Sequence, residues 1–453
     1  MREIVTLQFG SASNRVGEAL WSSALRESAG RQPGDEQEAD MSLMLRNGRS
    51  VPRTVAFGGK GEIKVAGARQ DHEVSAWDGG VKTVAQDDNG VGEAAMPTSV
   101  LHPRSVVEVA EFRSFDPMNN YYDGLLSGDG KLRRETLEAA QDHVRQSLEA
   151  CDSIQGVQCF VDIDSTWGGF ATEVLRELRE ECPSAFVMCA GLDERYPLTP
   201  QVGLFDQAKH DGRRAINMAS SILHLHELSD VFFPLATSGD AVGSFATLSP
   251  ISTDGPLLTA AAWDVMSAPY RFPRTSNMQM RNVAFPLRRS MKVMELACLL
   301  DPPADFFKQS GATRLELLDA ASLLPIGVQD PSWTRSRQYH LQLLTLRGDP
   351  TAFAGVTMPT WQLKAPFDFC HLVTLPRPLV ALPEAPVFAS LTSTACLSAV
   401  MITDAIPKYL SGLAHGVHTI DRRVVHEYVQ AGMSFDALRE LHSDLLTLSD
   451  SSL

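Results

Sequence analysis

The residues with the clearest chemical potential lie within 151–181, where the pattern is strand, glycine turn, helix. Residues 157–163 are β-branched, aromatic or small and predict a buried strand. A turn is expected over 164–169, and apolar residues at helical spacing follow from Phe170. This order directs the free N–H groups of a helix start at an anion, usually a phosphate. No GxxxxGK(S/T) or GxGxxG motif accompanies it, and the turn holds only the adjacent pair Gly168-Gly169.

The chain opens with a second unit of the same kind. Residues 3–9 predict a strand and 10–14 a turn, and Ser13 or Asn14 is expected to cap a helix over 16–26. Backbone N–H groups near Gly10, Ser13 and Asn14, together with those of Gly168-Gly169, form a candidate phosphate site. Two carboxylates, Asp162 and Asp164, follow the central strand. They either hold Mg²⁺ through water or serve only as strand-end and turn residues, and the second interpretation is favoured.

Composition bounds the class of protein. A chain of 453 residues can bury two or three cores, since single cores stop growing near about 250–300 residues. The formal net charge of −15 argues against binding to a nucleic-acid backbone, which needs a basic face. It suits basic partners or plain solubility.

Cysteine spacing and apolar runs restrict the chemistry and the compartment. The seven cysteines contain no CxxC, and neither HExxH nor GxSxG occurs, so we expect no disulfide framework, no metal site and no hydrolase. No run of about 18 apolar residues would span a bilayer. The N-terminal sequence MREIVTLQFG lacks a basic region followed by an apolar core, so no secretory signal is expected and a cytosolic location is predicted.

Hydrophobic periodicity predicts further elements along the chain. An amphipathic helix is expected over 132–150, and a helix that is apolar nearly all round, and therefore buried between domains, over 257–266, ended by Pro269. Strands are expected at three further places, residues 185–190, 231–236 and 339–347. The alternation of strands and helices predicts an α/β protein.

Several segments resemble the tubulins. They are MREIV followed by Gly10, Asn14 and Gly17; VPR at 51–53; the Asn119-Asn120 pair, with Tyr121 where tubulins have a tryptophan; CDSIQG at 151–156; and YVQAGM at 428–433. Two features of the tubulin pattern are missing. Residues 164–169 replace the long glycine loop that wraps the phosphates, and 271–294 contains no Asp or Glu, although filament-forming relatives use an acid there to position the attacking water.

The segment LHPRS at 101–105, together with 151–181, resembles the Misato family within the tubulin superfamily. This resemblance implies a tubulin-like α/β fold: a nucleotide-binding-type parallel sheet with helices on both faces, plus a second α/β domain and C-terminal helices. The parts expected are an N-terminal part of the nucleotide-type domain, the rest of that domain, a central helix with the following loop and helix, and a second domain, with the bounds 1–112, 113–256, 257–300 and 301–453.

The resemblance also implies a degenerate nucleotide site. Its members would be the residues at the two turns and the asparagine pair, namely Gly10, Ser13, Asn14, Asn119, Asn120, Gly168 and Gly169. No catalytic residue and no metal ligand is predicted, and no cofactor is required, with GTP left open. The basic residues of 271–292 form either a docking face or a solvated helix face; they are Arg271, Arg274, Arg281, Arg288, Arg289 and Lys292.

Two functions follow from these observations. The favoured one is a non-catalytic tubulin-like scaffold acting in mitochondrial distribution, morphology and mitochondrial DNA inheritance, as the resemblance implies. Its expected partners are proteins, including tubulin or its folding machinery, and its expected location is the cytoplasm and, peripherally, the mitochondrion. The alternative is a GTP-binding, self-assembling GTPase. The altered turn at 164–169 and the acid-free segment 271–294 favour the scaffold.

Overall fold

A computed structural model gives the architecture. It describes residues 3–29, 44–46, 51–63, 101–112, 120–126, 131–194, 204–237, 255–271, 278–283, 292–300, 322–325, 339–348, 369–375, 379–380, 393–394, 396–434 and 436–451.

A six-stranded sheet forms the first half of the molecule. Its strands are β1 (Glu3–Phe9), β4 (Thr54–Gly58), β5 (Val106–Glu108), β6 (Ile154–Asp162), β7 (Phe186–Asp193) and β8 (Val231–Ala236). They run in the order β5-β4-β1-β6-β7-β8, and all five pairings are parallel. A short antiparallel pair, β2 (Leu45–Arg46) and β3 (Val51–Pro52), precedes β4. Because all the carboxyl ends of parallel strands meet at one edge, the turns after β1 and β6 lie side by side.

Eight α-helices are described, and they cover both faces of this sheet. They are α1 (Ser11–Ala29), α2 (Arg134–Glu149), α3 (Thr166–Glu181), α4 (Leu204–Leu228), α5 (Gly255–Arg271), α6 (Ala405–His418), α7 (Arg422–Gln430) and α8 (Ala437–Ser451). Side chains of α1 and α5 belong to one hydrophobic core, and those of α2, α3, α4 and the three C-terminal helices belong to the other. The C-terminal helices therefore complete the same face as α3 and α4.

A second, mixed sheet follows α5. Its strands are β9 (Glu295–Leu300), β10 (Tyr339–Arg347), β11 (Phe369–Leu375) and β14 (Cys396–Thr403), in the order β11-β10-β14-β9. The β10–β11 pair is parallel and the other two pairs are antiparallel. The remaining strands, β12 (Leu379–Val380) and β13 (Ser393–Thr394), pair with each other. The predicted α/β class is confirmed, with a second sheet in addition to the parallel one.

A buried ion cluster fixes α5 to the second sheet. Every residue of α5 is buried, as the apolar pattern of 257–266 predicts. Its Asp264 bonds Arg271 of the same helix, with Nη2 and Oδ1 2.6 Å apart, and also pairs with Arg347 of β10. Burial alone would raise the pKa of Asp264, but the two guanidinium groups hold that pKa below its ordinary value.

Several elements have the bounds that periodicity predicts. Strands β1, β8 and β10 coincide with the predicted ranges, and the predicted helix at 132–150 is α2. The buried side chains of α2 form the predicted stripe, Leu137, Ala140, Val144 and Leu148. The local hydrophobic pattern is sufficient to predict the bounds of an element that buries one face or both faces.

Two predictions about helix limits are wrong. Helix α1 starts at Ser11, so Ser13 and Asn14 lie inside its first turn and do not cap it. Helix α5 continues past Pro269 to Arg271, whose guanidinium donates to the Asp264 carbonyl two turns earlier at 2.5 Å. Of the loop and helix expected after the central helix, Met280–Val283 form a 3₁₀ turn and Glu295–Leu300 form strand β9, which pairs with β14, while 284–291 lie outside the described residues.

The basic residues of 271–292, predicted to form either a docking face or a solvated helix face, do not all lie at the surface. Arg271 is only 2% exposed and belongs to the Asp264 cluster, so it offers no surface charge. Arg281 is exposed, and the Nζ of Lys292 donates to the Glu227 carbonyl at 3.3 Å. Arg274, Arg288 and Arg289 lie outside the described residues.

Candidate functional site

The N-terminus of α1 holds the anion that the sequence leads one to expect, and that anion is a side chain of the protein itself. The Asp162 carboxylate accepts hydrogen bonds from the backbone N–H of Ala12 at 3.0 Å and of Ser13 at 2.8 Å. The Ser13 hydroxyl donates to the same carboxylate at 2.5 Å. Free N–H groups and the helix dipole make this position favourable for a negative charge. A carboxylate at the end of β6 therefore occupies the place of a phosphate.

Gly10 makes this approach between Asp162 and α1 feasible. Its φ of 105° lies in the left-handed region that favours glycine. A Cβ at this position would lie 2.3 Å from Asp162 Oδ2 and 2.8 Å from the Trp167 ring. The glycine of the opening turn thus serves close contact with β6 and α3 rather than access for a ligand.

Asn14, the third predicted residue of this turn, is directed towards the neighbouring strand. Its Nδ2 donates to the Phe57 carbonyl at the end of β4, at 2.9 Å. Its Oδ1 is buried and has no hydrogen-bond partner among the described residues. The side chain links α1 to β4 and leaves one acceptor unused.

Gly168 and Gly169 lie in the first turn of α3, so the turn predicted over 164–169 ends at Ser165, the N-cap of the helix. A Cβ on Gly168 would lie 1.9 Å from the Ser221 hydroxyl. A Cβ on Gly169 would lie 2.1 Å from the Tyr121 carbonyl oxygen. Both glycines permit close packing of α3 against neighbouring backbone and side chains, and this packing fills the space in front of the helix start.

The segment packed there begins at Asn120 and continues as a short 3₁₀ helix, Tyr121–Gly124. Asn120 caps that helix by accepting from Tyr122 N–H at 2.9 Å, and its carbonyl accepts from the Thr166 hydroxyl at 3.1 Å. Its neighbour Asn119 lies outside the described residues. Asn120 therefore holds the 3₁₀ helix against the start of α3.

Asn217 of α4 joins these elements, and the sequence reasoning missed it. Its Oδ1 accepts from the Tyr121 N–H at 2.9 Å and from the Tyr428 hydroxyl of α7 at 2.8 Å. Its Nδ2 donates to the Asp164 carbonyl at 2.9 Å. No local pattern marks it, because Asn217 is a single asparagine among the apolar and small residues of 215–221. Buried polar groups of this kind must be paired, and here they are.

The charges around the site are mostly negative. Burial raises the pKa of Asp162 from its ordinary 3.8 to about 6, although the hydrogen bonds from Ser13 and Ala12 act in the opposite direction. Burial, followed by repulsion from Asp193 and Asp162, raises the pKa of Asp164 well above its usual range. Arg214 faces this group but is paired with Asp193, with Nε and Oδ1 2.8 Å apart.

A nucleoside phosphate at the start of α1 would have to compete with Asp162 for the N–H groups of Ala12 and Ser13. It would also meet the nearby carboxylates Asp164 and Asp193, of which Asp193 is paired with Arg214. Within the described ranges, no group of three or more His, Cys, Asp or Glu side chains is placed to hold a metal ion. The predicted residues do converge on one edge of the sheet, but they contact one another or adjoining backbone.

Comparison with known proteins agrees with the fold. A tubulin domain is matched over residues 98–267, from the segment before β5 to helix α5. Protein DML1 of Phaeosphaeria nodorum is 27% identical over 296 residues, which cover 56% of this chain and 55% of that protein. Protein DML1 of Gibberella zeae is 29% identical over 325 residues, covering 62% of each. The chain thus spans between half and two thirds of the length of these fungal relatives.

A third relative matches along almost the whole chain. Protein misato homolog 1 of Bos taurus is 22% identical over 569 residues, covering 99% of this chain and 97% of that protein. Fold, site and domain match together define a tubulin-like α/β protein. These similarities are consistent with the Misato/DML1 family within the tubulin superfamily.

Proposed function

We propose that the protein is a non-catalytic tubulin-like scaffold that acts in mitochondrial distribution, morphology and mitochondrial DNA inheritance. The observation that carries the non-catalytic part is the Asp162 carboxylate bonded to the first turn of α1. An internal anion satisfies the N–H groups that a nucleotide phosphate would need. The mitochondrial part rests on the family resemblance.

The packing at α3 supports the same proposal. Phosphate-wrapping loops need backbone that can move and N–H groups that face a cavity. Here Gly168 and Gly169 are helical and lie against Ser221 and Tyr121. Close packing of this kind suits a protein that holds its partners in a fixed geometry. The proposed partners include tubulin or its folding machinery.

A peripheral location on the mitochondrion belongs to the proposal as well. Of the helices in the described ranges, none is both long enough and apolar enough to cross a membrane. Attachment to the organelle would therefore use protein partners or the lipid surface.

The alternative, a GTP-binding and self-assembling GTPase, has one observation in its favour. Asn14 Oδ1 is buried beside Gly10 without a hydrogen-bond partner in the described part of the chain. A bound guanine nucleotide or a water molecule would satisfy it.

Titration of GTP into the purified full chain separates the two functions. We expect no saturable binding, no phosphate release and no GTP-dependent sedimentation for the wild type. Asp162→Ala frees the N–H groups of α1. Asp230→Ala is the matched control, because Asp230 lies just before β8, at the end of the sheet opposite to Asp162. Turnover of GTP by the wild type, with assembly into filaments, would contradict the proposal.

A cellular experiment tests the mitochondrial part. We expect depletion of the protein from its own cells to alter mitochondrial distribution and the segregation of mitochondrial DNA. Re-expression of Asp162→Asn, which keeps the shape of the side chain, should restore both as well as the wild type does. Unaltered mitochondria after depletion would argue against the assignment.

A further inference from the structure

A polar cleft of about 630 Å³ lies at the end of the parallel sheet where its strands begin, opposite to the candidate site. It is bounded by the C-terminal half of α2, strand β3 and the 3₁₀ turn Pro103–Ser105. The polar side chains that line it share the capacity to donate hydrogen bonds; they are Arg53, His102, Arg104, His143, Gln146 and Ser147. Arg53 precedes β4, so the cleft opens where the strands begin, whereas Asp162 stands where they end.

The turn that carries His102 and Arg104 is held in a defined shape. The His102 Nδ1 accepts from the Arg104 N–H at 3.1 Å, so the neutral ring carries its proton on Nε2. Ser105, at the end of the turn, is buried, whereas His102 and Arg104 are exposed. The LHPRS segment thus anchors its last residue and offers two donor groups to the cleft.

Arg53 contributes a fixed charge between the turn and α2. Its Nη1 donates to the Ala150 carbonyl at 3.2 Å, and its Nη2 lies 3.6 Å from the Glu3 carboxylate. Glu3 is itself buried and accepts from the Ser153 N–H at 2.9 Å, so its charge is shared. From α2, His143, Gln146 and Ser147 face the cleft at helical spacing.

The charge of this lining is opposite to that of the whole chain. Among the described residues that line the cleft none carries a carboxylate, in a protein with a formal net charge of −15. A guanidinium group can donate two parallel hydrogen bonds to two oxygens of one phosphate. A cleft lined by several donors therefore favours a doubly charged phosphate ligand over a singly charged carboxylate ligand. The volume falls within the range of small-molecule sites, about 300–1,000 Å³, and exceeds that of a bare ion.

We propose that this cleft binds a phosphate monoester, with the Arg104 guanidinium and the His102 and His143 rings as the groups that contact it. The monoester belongs either to a soluble organic phosphate or to a lipid headgroup. The bounded cleft and the acidic surroundings disfavour a nucleic-acid backbone, which needs an extended basic face. The proposal is independent of the nucleotide question, because it uses none of the residues around Asp162.

Two probes with the same headgroup chemistry test it at low ionic strength. Glycerol phosphate is titrated into the full chain by calorimetry, and phosphatidylcholine vesicles containing phosphatidic acid are used in a flotation assay. Vesicles containing phosphatidylserine carry negative charge but no monoester. We expect binding to glycerol phosphate, to phosphatidic acid vesicles or to both, and weaker binding to phosphatidylserine; the probe that binds identifies the source.

Two variants with the same charge reversal, one in the cleft and one outside it, provide the test and its control. Arg104→Glu should weaken binding about tenfold or more, as expected for loss of a charged hydrogen bond. Arg134→Glu makes the same charge change at the exposed first turn of α2, about 14 Å along the helix from His143, and should leave binding unaltered. Thermal melts followed by circular dichroism verify that both variants fold. The proposal would be overturned if neither monoester probe bound, if phosphatidylserine vesicles bound equally well, or if both variants lost binding to the same extent.

Discussion

Ser13 donates two hydrogen bonds to Asp162, one from its backbone N–H at 2.8 Å and one from its hydroxyl at 2.5 Å. The two residues are 149 positions apart and join the first turn of α1 to the end of β6. In a nucleotide-binding α/β unit, the same N–H groups would face a phosphate. The contact therefore links the architecture of the sheet edge to its proposed lack of catalysis.

We expect the buried carboxyl of Asp162 to make the stability of the protein depend on pH. The pKa of Asp162 is about 6 in the folded chain and 3.8 ordinarily, so the folded state binds a proton more readily than the unfolded state. The contribution of Asp162 to the free energy of unfolding is then largest below the unfolded pKa and is lost as pH rises through about 6. Asp162→Asn cannot titrate. Urea denaturation should show wild type gaining about 2 kcal/mol relative to this variant between pH 7 and pH 4; a difference independent of pH would refute the assignment.

Substitution of Gly169 tests the close packing at α3. In Gly169→Ala the new Cβ would lie 2.1 Å from the Tyr121 carbonyl oxygen, so backbone must move. We expect the free energy of unfolding to fall by about 1–3 kcal/mol, even though alanine favours a helix by about 1 kcal/mol. Gly412→Ala in α6 is the matched control, because its Cβ would meet nothing within 4 Å. That variant should gain about 0.5–1 kcal/mol in urea denaturation. Shifts of the same sign in both variants would exclude the packing role.

The Asp264 cluster should be the most sensitive ion pair in the described structure. Asp264→Asn removes the negative charge that Asp264 places beside the guanidinium groups of Arg271 and Arg347, each no more than 2% exposed. Breaking a buried pair in this way costs about 3–5 kcal/mol. Asp404→Asn removes the partner of Lys408 on the surface of α6 and should change stability by about 0.5 kcal/mol or less. Guanidinium chloride titrations measure both, and equal effects would show that burial does not strengthen the Asp264 cluster.

A double-mutant cycle measures how strongly α4 and α7 are coupled. Tyr428→Phe removes a hydroxyl that lies 2.8 Å from Asn217 Oδ1, and should lower the free energy of unfolding by about 1–2 kcal/mol. Asn217→Ala should cost more, because the Tyr121 N–H and the Asp164 carbonyl also lose their partner. The double variant should be less destabilised than the sum of the two, by about 0.5 kcal/mol or more. Strict additivity would show that the two side chains act independently.

The sequence predicts well those elements whose cause is local. Strand β1 mixes β-branched and apolar residues with polar ones, β8 is an apolar run, and α2 has one apolar stripe, so their limits follow from the local pattern. The edge of the sheet that carries the candidate site is also predictable, because parallel strands bring their carboxyl ends together. The tubulin-like fold that the resemblance implies is confirmed by the match to a tubulin domain.

Features that depend on distant residues are not readable in this manner. Helix α1 begins at Ser11 because Asp162, far along the chain, caps it, and no local residue signals that start. Gly168 and Gly169 look like turn residues, but their lack of a side chain serves contact with Tyr121 and Ser221. Asn217 carries no pattern at all, since its three partners come from three other segments.

The hydrogen bond between Tyr428 and Asn217 spans 211 positions of the chain and has a consequence for synthesis. While the ribosome is still translating the second sheet, α4 is complete but its apolar face and Asn217 lack the helices that will cover them. Domains generally fold as units once their residues have emerged, and long-range contacts make that step slow. We therefore expect the nascent chain to expose this face until its last helices leave the exit tunnel, which makes it a natural client for chaperones during translation.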